Sequence, residues 1–301
     1  MPSLTAAVQR ADSPVGQWMR QTFPHLGAVQ QAVREAADAL VVVPPDAVAL
    51  GTQGGAIDWW IRFLVDQRVS LELPIRGLWG GFPRAGRDLI EALCPRRPTV
   101  LEPALHADRS DEWWARTCYA LALLVERFRN PMIDGSRLFT LAPGSGVEEL
   151  LALANDDEVA DLIAMRDLAK KGLLPYLDSG PVHSGPTFDG SEHLAADADL
   201  VVAGLLIDVK SSRGGKARKD GSRSPSLAGT EVYQLLGYAL MDFSDRYALH
   251  SAGIYAARFG CLVQWPLTEL VQQASGRSGI GLLDLRLEFN DLLERGSAAG
   301  G

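Results

Sequence analysis

The segment 196–212, ADADLVVAGLLIDVKSS, constrains the fold of this chain more than any other stretch. Two short alternating runs flank residues 203–204, and this pattern predicts a β-hairpin with a tight two-residue turn. Because side chains alternate along a strand, Asp208 and Lys210 share one face of the second arm, and the opposite face is predicted to be apolar. The short turn brings Asp199 near Asp208. Buried charges are costly unless they are paired or coordinated, so the hairpin predicts a chemical site.

The two acids of the hairpin predict a site for a divalent cation. Paired carboxylates repel each other when nothing compensates their charge, and their hard oxygens suit Mg²⁺ or Mn²⁺. An amine at Lys210 would stabilise charge developing on a phosphate, or favour deprotonation of an attacking water. The alternative is a strand whose solvent face carries Asp and Lys by default. The full set of Asp199, Asp208 and Lys210 favours metal-dependent phosphodiester hydrolysis.

The rest of the chain predicts an α/β (α+β) protein with a mixed central sheet flanked by helices. Helical periodicity predicts that residues 1–140 form a mainly helical N-terminal region, with helices at 28–40, 56–65, 84–93 and 111–128. Residues 141–301 are predicted to form a second domain. Its expected order is a helix at 155–171, strands at 182–188, 195–202 and 205–211, a helix at 231–243, strands at 249–257 and 261–266, and helices at 267–274 and 282–294.

With these residues, the chain resembles the PD-(D/E)XK nuclease superfamily, which includes restriction endonucleases and RecB-like and lambda-exonuclease-like nucleases. The resemblance covers about residues 155–267 and rests on Asp199 and on the triplet 208–210, Asp-Val-Lys. It also rests on residues 234–238, QLLGY, which are similar to the QxxxY element of RecB-like members. Ala198 stands where the family's name has proline. The resemblance implies a restriction-endonuclease-like αβββαβ core.

The resemblance also implies roles for individual residues. Asp199 and Asp208 would bind the metal with the Val209 carbonyl as a further ligand, and Lys210 would be the catalytic lysine. The family often adds a glutamate from the leading helix, and Glu158 is the best placed, with Glu148 and Glu149 as alternatives.

Gln234 and Tyr238 would face the site from the helix that follows the hairpin. Their i, i+4 spacing independently places them on one helix face. A glutamine there would orient a water or a phosphate beside the carboxylates. The alternative is an interior tyrosine whose hydroxyl is satisfied by the neighbouring glutamine.

A basic loop follows the hairpin in an otherwise acidic chain. The net charge of −8 and pI near 5.2 argue against nonspecific coating of nucleic acid, but they leave room for a local basic surface. Residues 213–223, RGGKARKDGSR, carry five basic residues and one acid, and flexible spacing of this kind suits contact with a nucleic-acid backbone. A solvated loop is the alternative. The predicted contacts are Arg213, Lys216, Arg218, Lys219 and Arg223.

Several classes of protein are not favoured by the sequence. The three cysteines are far apart and odd in number, so neither a disulfide framework nor a CxxC metal site is expected. The same cysteine content predicts a cytoplasmic location. The N-terminal residues lack the layout of a signal peptide. No apolar run approaches the roughly 20 residues of a membrane-spanning helix, so no membrane association is expected.

The sequence therefore predicts a Mg²⁺- or Mn²⁺-dependent nuclease that acts on DNA, in phage defence or in DNA repair or processing. RNA is not excluded, because the preference for DNA follows from the resemblance alone. The helical N-terminal region is expected to grip substrate or a partner protein. Two alternatives stay open: a catalytically inactive nuclease-like module that binds nucleic acid or a partner, and a phosphatase of small molecules.

Overall fold

The computed structural model describes residues 2–46, 48–66, 68–78, 83–93, 109–130 and 135–298. Contacts divide the chain into two compact units, Val42–Leu174 and the combination of Met1–Val41 with Pro175–Gly301. We call the first the helical unit and the second, which carries the β-sheet, the sheet unit. The predicted boundary between residues 140 and 141 falls inside the helical unit.

The sheet unit begins with three short helices: α1 (Leu4–Gln9), α2 (Pro14–Thr22) and α3 (Gly27–Glu35). The hydroxyls of Ser3 and Ser13 cap α1 and α2 by accepting hydrogen bonds from backbone N–H groups three residues later. Leu4 and Met19 are buried in the core of the sheet unit. Of these helices, only α3 is predicted from the sequence, as a longer helix at 28–40.

The described part of the helical unit contains six α-helices: α4 (Leu50–Val65), α5 (Glu72–Gly77), α6 (Pro83–Leu93), α7 (Asp111–Arg129), α8 (Val147–Leu151) and α9 (Asp156–Gly172). The pair α4 and α7 forms its centre, with Trp60 and Tyr119 fully buried. At Gly77, where α5 approaches α7, a β-carbon would collide with the Leu124 carbonyl, so this contact requires glycine. Helices α8 and α9 pack against α7, which extends the helical unit beyond residue 140.

Five strands form one mixed sheet in the order β1-β2-β3-β4-β5: β1 (Val182–Ser184), β2 (Leu200–Val202), β3 (Leu205–Lys210), β4 (Ser251–Ala256) and β5 (Cys261–Pro266). Strands β1, β2 and β3 are successively antiparallel, β3 and β4 are parallel, and β4 and β5 are antiparallel. Ala203 and Gly204 have φ angles of 48° and 84°, as a type I′ turn requires. The predicted hairpin is confirmed, although β1 and β2 are shorter than the predicted strands at 182–188 and 195–202.

Three helices complete the sheet unit: α10 (Gly229–Met241), α11 (Leu267–Ser275) and α12 (Leu282–Ala298). Helix α10 supplies the long crossover that the parallel pair β3 and β4 needs. It packs with Leu206 and Ile254 of the sheet in one apolar core. The fold is therefore α/β with a mixed sheet and helices, as predicted. None of the described helices is both long and apolar enough to cross a bilayer.

The face of the hairpin opposite Asp208 and Lys210 is apolar, as predicted, but the face that carries these charged residues is not wholly polar. Leu206 lies on the same face of β3 as Asp208 and Lys210, yet it is fully buried against α10. Leu200 and Ile207 on the opposite face are also fully buried. Asp208 and Lys210 therefore lie at the edge of an apolar core, which reduces their access to water.

Candidate functional site

Asp199 and Asp208 meet at one end of the hairpin. The antiparallel register pairs Leu200 with Ile207, so Asp199, directly before β2, falls opposite Asp208. A carboxylate oxygen of Asp199 accepts a hydrogen bond from the backbone nitrogen of Val209 at 2.7 Å. This bond holds Asp199 against β3 beside Asp208.

Asp208 is a buried acid whose charge is only partly compensated. It is 3% exposed, and one carboxylate oxygen lies 2.7 Å from the Lys210 ammonium. The pKa of Asp208 is raised to about 7, chiefly by burial; the Lys210 charge opposes this rise and the Asp199 charge contributes to it. Desolvation of this carboxylate therefore outweighs its ion pair, so it titrates near neutral pH.

The Lys210 ammonium stays protonated although it is largely buried beside Asp208. Burial lowers the pKa of its ammonium, but the Asp208 carboxylate outweighs that effect and the pKa is raised overall. The ammonium also donates a hydrogen bond to Oε1 of Gln234 at 3.3 Å, and it lies 4.0 Å from Oε1 of Glu231. Lys210 thus connects the acids of the sheet with the first turns of α10.

The Gln234 side chain links Lys210 to two hydroxyl groups. Its Nε2 donates to the Tyr238 hydroxyl at 2.7 Å and to Oγ1 of Thr5, in α1, at 3.0 Å. Burial, together with the charges of the nearby acids, raises the pKa of Tyr238 well above its ordinary value, so the phenol remains protonated. The structure therefore brings Gln234 and Tyr238 to the Asp208–Lys210 pair, as predicted from their spacing and from the resemblance.

Two further residues of the site were not predicted. Glu231 precedes Gln234 by three residues on α10, so the helical period places both residues on the same face. This spacing could have identified Glu231 as a residue of the site. Its second carboxylate oxygen accepts from the backbone nitrogen of Ala228 at 2.6 Å, which caps α10 and fixes the side chain. Thr5 is 229 residues from Gln234, and no sequence pattern indicates their contact.

Glu158 belongs to the helical unit, where its carboxylate has three partners. It accepts hydrogen bonds from the Tyr119 hydroxyl at 3.1 Å, from the Arg137 guanidinium at 2.5 Å and from the backbone nitrogen of Asn155 at 3.0 Å. The last bond belongs to a capping box that begins α9. These contacts give Glu158 a structural role, and our metal-ligand proposal does not include it. Glu148 and Glu149 lie on α8, also in the helical unit.

The basic loop is folded rather than extended. Gly215 and Arg218 donate backbone hydrogen bonds to Ser224 at 2.9 Å and to Ser222 at 2.8 Å, which makes a compact turn. The Arg218 guanidinium donates to the Asp38 carbonyl at 2.9 Å, and the Arg223 guanidinium donates to the loop's own backbone at 2.7 Å. Arg213 is half-buried, whereas Lys216 and Lys219 are exposed. Of the five predicted contacts, the two lysines present their charges most openly.

The donor groups fit a divalent cation that keeps most of its waters. Among the residues that the structure describes, no three His, Cys, Asp or Glu side chains converge in a way that could hold a metal ion. Mg²⁺, however, commonly binds one or two carboxylates together with water and substrate oxygens. Asp199 and Asp208 provide that pair, and the raised pKa of the buried Asp208 shows that negative charge there lacks full compensation. A bound cation would supply the missing positive charge.

No protein-family model, no curated protein and no solved structure matches this chain. The function is therefore inferred from the residues and their geometry.

The pKa of Asp208 predicts that the metal-free protein loses stability as the pH rises from about 4 to about 7. The native carboxyl holds its proton up to about pH 7, whereas in the unfolded chain it releases that proton near its ordinary value of 3.8. The native state thus binds more protons in this window, and the free energy of unfolding falls by an amount on the order of a few kcal/mol. Urea unfolding in EDTA at several pH values measures this slope.

The Asp208→Asn variant is the control for that slope. Lys210 keeps its charge throughout the window, so the difference between the two proteins reports the Asp208 carboxyl. We expect a flatter dependence in the variant between pH 4 and 7. Equal slopes would show that Asp208 titrates at its ordinary pKa.

Proposed function

We propose that this protein is a Mg²⁺- or Mn²⁺-dependent nuclease that hydrolyses phosphodiester bonds of DNA. One observation carries the proposal: a buried Asp208–Lys210 pair, 2.7 Å apart, stands beside a second acid, Asp199, at the end of a strand. Gln234 holds the lysine from the next helix. Carboxylates, a charged amine and an amide in this arrangement are the parts that metal-assisted phosphodiester hydrolysis needs.

The order of elements also supports this proposal. Strands β1, β2 and β3, helix α10 and strand β4 follow one another as three strands, a helix and a strand. This is the order of the restriction-endonuclease-like core that the resemblance implies, with the acids on its second and third strands. The expected leading helix, α9, lies in the helical unit, and in the sheet unit it is α1 that packs against α10.

Each residue of the site has a separate task in the proposed reaction. Asp199 and Asp208 would hold the ion, with the Val209 carbonyl as a further ligand. The bound ion would polarise a phosphoryl oxygen and acidify a water. Lys210 places a positive charge where negative charge grows on the phosphate. Gln234 keeps the ammonium in that position, and Tyr238 offers a hydroxyl hydrogen to a phosphate oxygen.

Exposed lysines accompany the site and favour a substrate with a phosphate backbone, while the preference for DNA over RNA follows from the resemblance. Lys216 and Lys219 lie in the loop that directly follows β3, so their charges belong to the same unit as the acids. Cations of this kind contact phosphates without reading sequence. A role in phage defence or DNA processing, a cytoplasmic location and a partner protein on the helical unit are part of the same proposal.

The two loop lysines make a prediction about salt. In the Lys216→Ala/Lys219→Ala double variant, DNA affinity should fall, and the slope of log K against log salt should become shallower by about 2. Fluorescence anisotropy with labelled duplex in Ca²⁺, over a series of NaCl concentrations, measures both values. The matched control is Lys170→Ala/Lys171→Ala, which removes the same charge from the exposed end of α9. Equal slopes in both variants would show that the basic loop does not contact DNA.

A cleavage assay tests the proposed activity. Linear and circular DNA, each single- and double-stranded, are incubated with the protein and Mg²⁺ or Mn²⁺, with EDTA and the Lys210→Ala variant alongside. We expect metal-dependent cleavage that both EDTA and the substitution abolish. Adding p-nitrophenyl phosphate to the substrates separates a nuclease from a phosphatase of small molecules. Cleavage that persists in the lysine variant would contradict the proposed mechanism.

A catalytically inactive module that binds nucleic acid is the second candidate. The contact between Asp208 and Lys210 favours it, because the ammonium itself supplies a counter-charge to the buried carboxylate. A protein that retards DNA in a gel but cleaves none of the substrates with either metal would establish this candidate.

A further inference from the structure

The Gln234 side chain has a fixed orientation, which follows from the chemistry of its three neighbours. An ammonium can only donate, so the amide atom 3.3 Å from the Lys210 nitrogen must be the oxygen. The nitrogen of the amide therefore faces Tyr238 at 2.7 Å and Thr5 at 3.0 Å. Each of its two hydrogens has one acceptor, and the donors of the amide are fully used.

This orientation also determines the direction of the Tyr238 hydroxyl. Because its oxygen accepts from Gln234, its own hydrogen must point away from the amide. The phenol of Tyr238 is 4% exposed and stays protonated, and the carboxylates whose charge raises its pKa include those of Asp208 and Asp199 in the proposed site. A reversed Gln234 amide would present its nitrogen to the Lys210 ammonium and lose that bond, so the contact with Lys210 determines the orientation of the amide.

We propose that Thr5 is a positioning residue of the active site, which acts through Gln234 to hold Lys210 and to direct the Tyr238 hydroxyl toward substrate. This inference rests on the proposed nuclease function. Helix α1 packs against α10, and Ser3 forms a parallel bridge with Ala195, so the backbone around Thr5 is fixed on both sides. The hydroxyl of Thr5 is thereby presented to the amide by rigid elements rather than by a loop.

The nearly isosteric Thr5→Val substitution tests this role. It removes the acceptor but keeps the shape, so one amide hydrogen loses its partner. We expect kcat for DNA cleavage to fall about tenfold, the loss of one hydrogen bond, with KM within about twofold of the wild type. Thr5→Ser restores the acceptor and should recover most of the rate. A change in KM alone, or no recovery with serine, would contradict a positioning role.

A double-mutant cycle separates the action of Thr5 on Gln234 from a general effect on packing. If Thr5 acts through the amide, Thr5→Val should change kcat little once Gln234→Ala is present. Additive losses of rate in the double variant would overturn the proposal.

Thermal unfolding in EDTA gives a readout that does not require cleavage. It is measured on the wild type, on the Thr5→Val and Gln234→Ala variants, and on the double variant. The decrease in Tm caused by Thr5→Val should be smaller when Gln234→Ala is present. If the wild type cleaves nothing but the Tm values are coupled in this way, the contact is real and the nuclease function has failed. If the wild type cleaves and neither cycle shows coupling, the role of Thr5 alone has failed.

Discussion

Replacing Lys210 by methionine should reduce metal-dependent DNA cleavage by at least about 100-fold, which is the effect of losing one preorganised charge or donor in an active site. Methionine keeps the length of the side chain and removes the ammonium that lies 2.7 Å from Asp208. Initial rates on labelled duplex at saturating Mg²⁺ measure the effect. The matched control, Lys171→Met at the exposed end of α9, should cleave like the wild type.

Loss of folding is the competing explanation for an inactive lysine variant, and a double substitution excludes it. Removing only the ammonium leaves the buried Asp208 carboxylate without its counter-charge, which costs about 3–5 kcal/mol for a typical buried pair. Replacing both partners, as in Asp208→Asn/Lys210→Met, removes the unpaired charge and is often nearly neutral. The double variant should therefore have a Tm near that of the wild type and no cleavage. A stable double variant that still cleaves DNA would show that Asp208 and Lys210 are not part of the active site.

The second large effect is expected on stability, at Glu158 of the helical unit. Glu158→Gln removes the charge that pairs with Arg137 and weakens the bonds from Tyr119 and Asn155. We expect a loss of about 3 kcal/mol in the free energy of unfolding, at the low end for a buried pair because the Arg137 side chain is 33% exposed. Thermal unfolding followed by circular dichroism should show a decrease in Tm of several degrees.

The same variant distinguishes a structural glutamate from a metal ligand. Because the Glu158 carboxylate is engaged within the helical unit, the cleavage rate per folded molecule should be unchanged in Glu158→Gln. Glu148→Gln, at an exposed position of α8, is the control and should change neither stability nor rate. A folded Glu158→Gln protein that has lost cleavage would restore the ligand role that the resemblance implies.

The hairpin and its acids were predictable because their signals are local. The alternation on both sides of Ala203-Gly204 specifies two strands and a type I′ turn, and the turn alone brings Asp199 opposite Asp208. The long amphipathic helices α7, α9 and α10 were likewise predicted to within a few residues. Each of these features depends on neighbours close in sequence.

Other features of the molecule depend on contacts distant in sequence. Two of the three partners of Glu158 come from α7 and from the segment before α8, so the period of α9 alone could not distinguish a structural carboxylate from a ligand. The apolar cover on the charged face of β3 comes from α10. The role of α1 depends on its packing against that helix, and a helix of six residues gives only a weak periodic signal.

The conformation of the basic loop could not be predicted from its composition. Glycine, serine and basic residues predicted a flexible segment, but backbone bonds from Gly215 and Arg218 close it into a compact turn. Two of its arginines donate to backbone carbonyls. Composition gives the charge of such a segment, whereas the structure shows which of its cations remain exposed.

The central claim is that Asp199 and Asp208 bind a divalent ion. Calorimetric titration of the protein with Mn²⁺ at pH 8, above the raised pKa of Asp208, tests it most directly. We predict saturable binding to the wild type, and no detectable binding to the Asp199→Asn/Asp208→Asn double variant. Absence of Mn²⁺ binding by the folded wild type, or unchanged binding by the folded double variant, would contradict the claim.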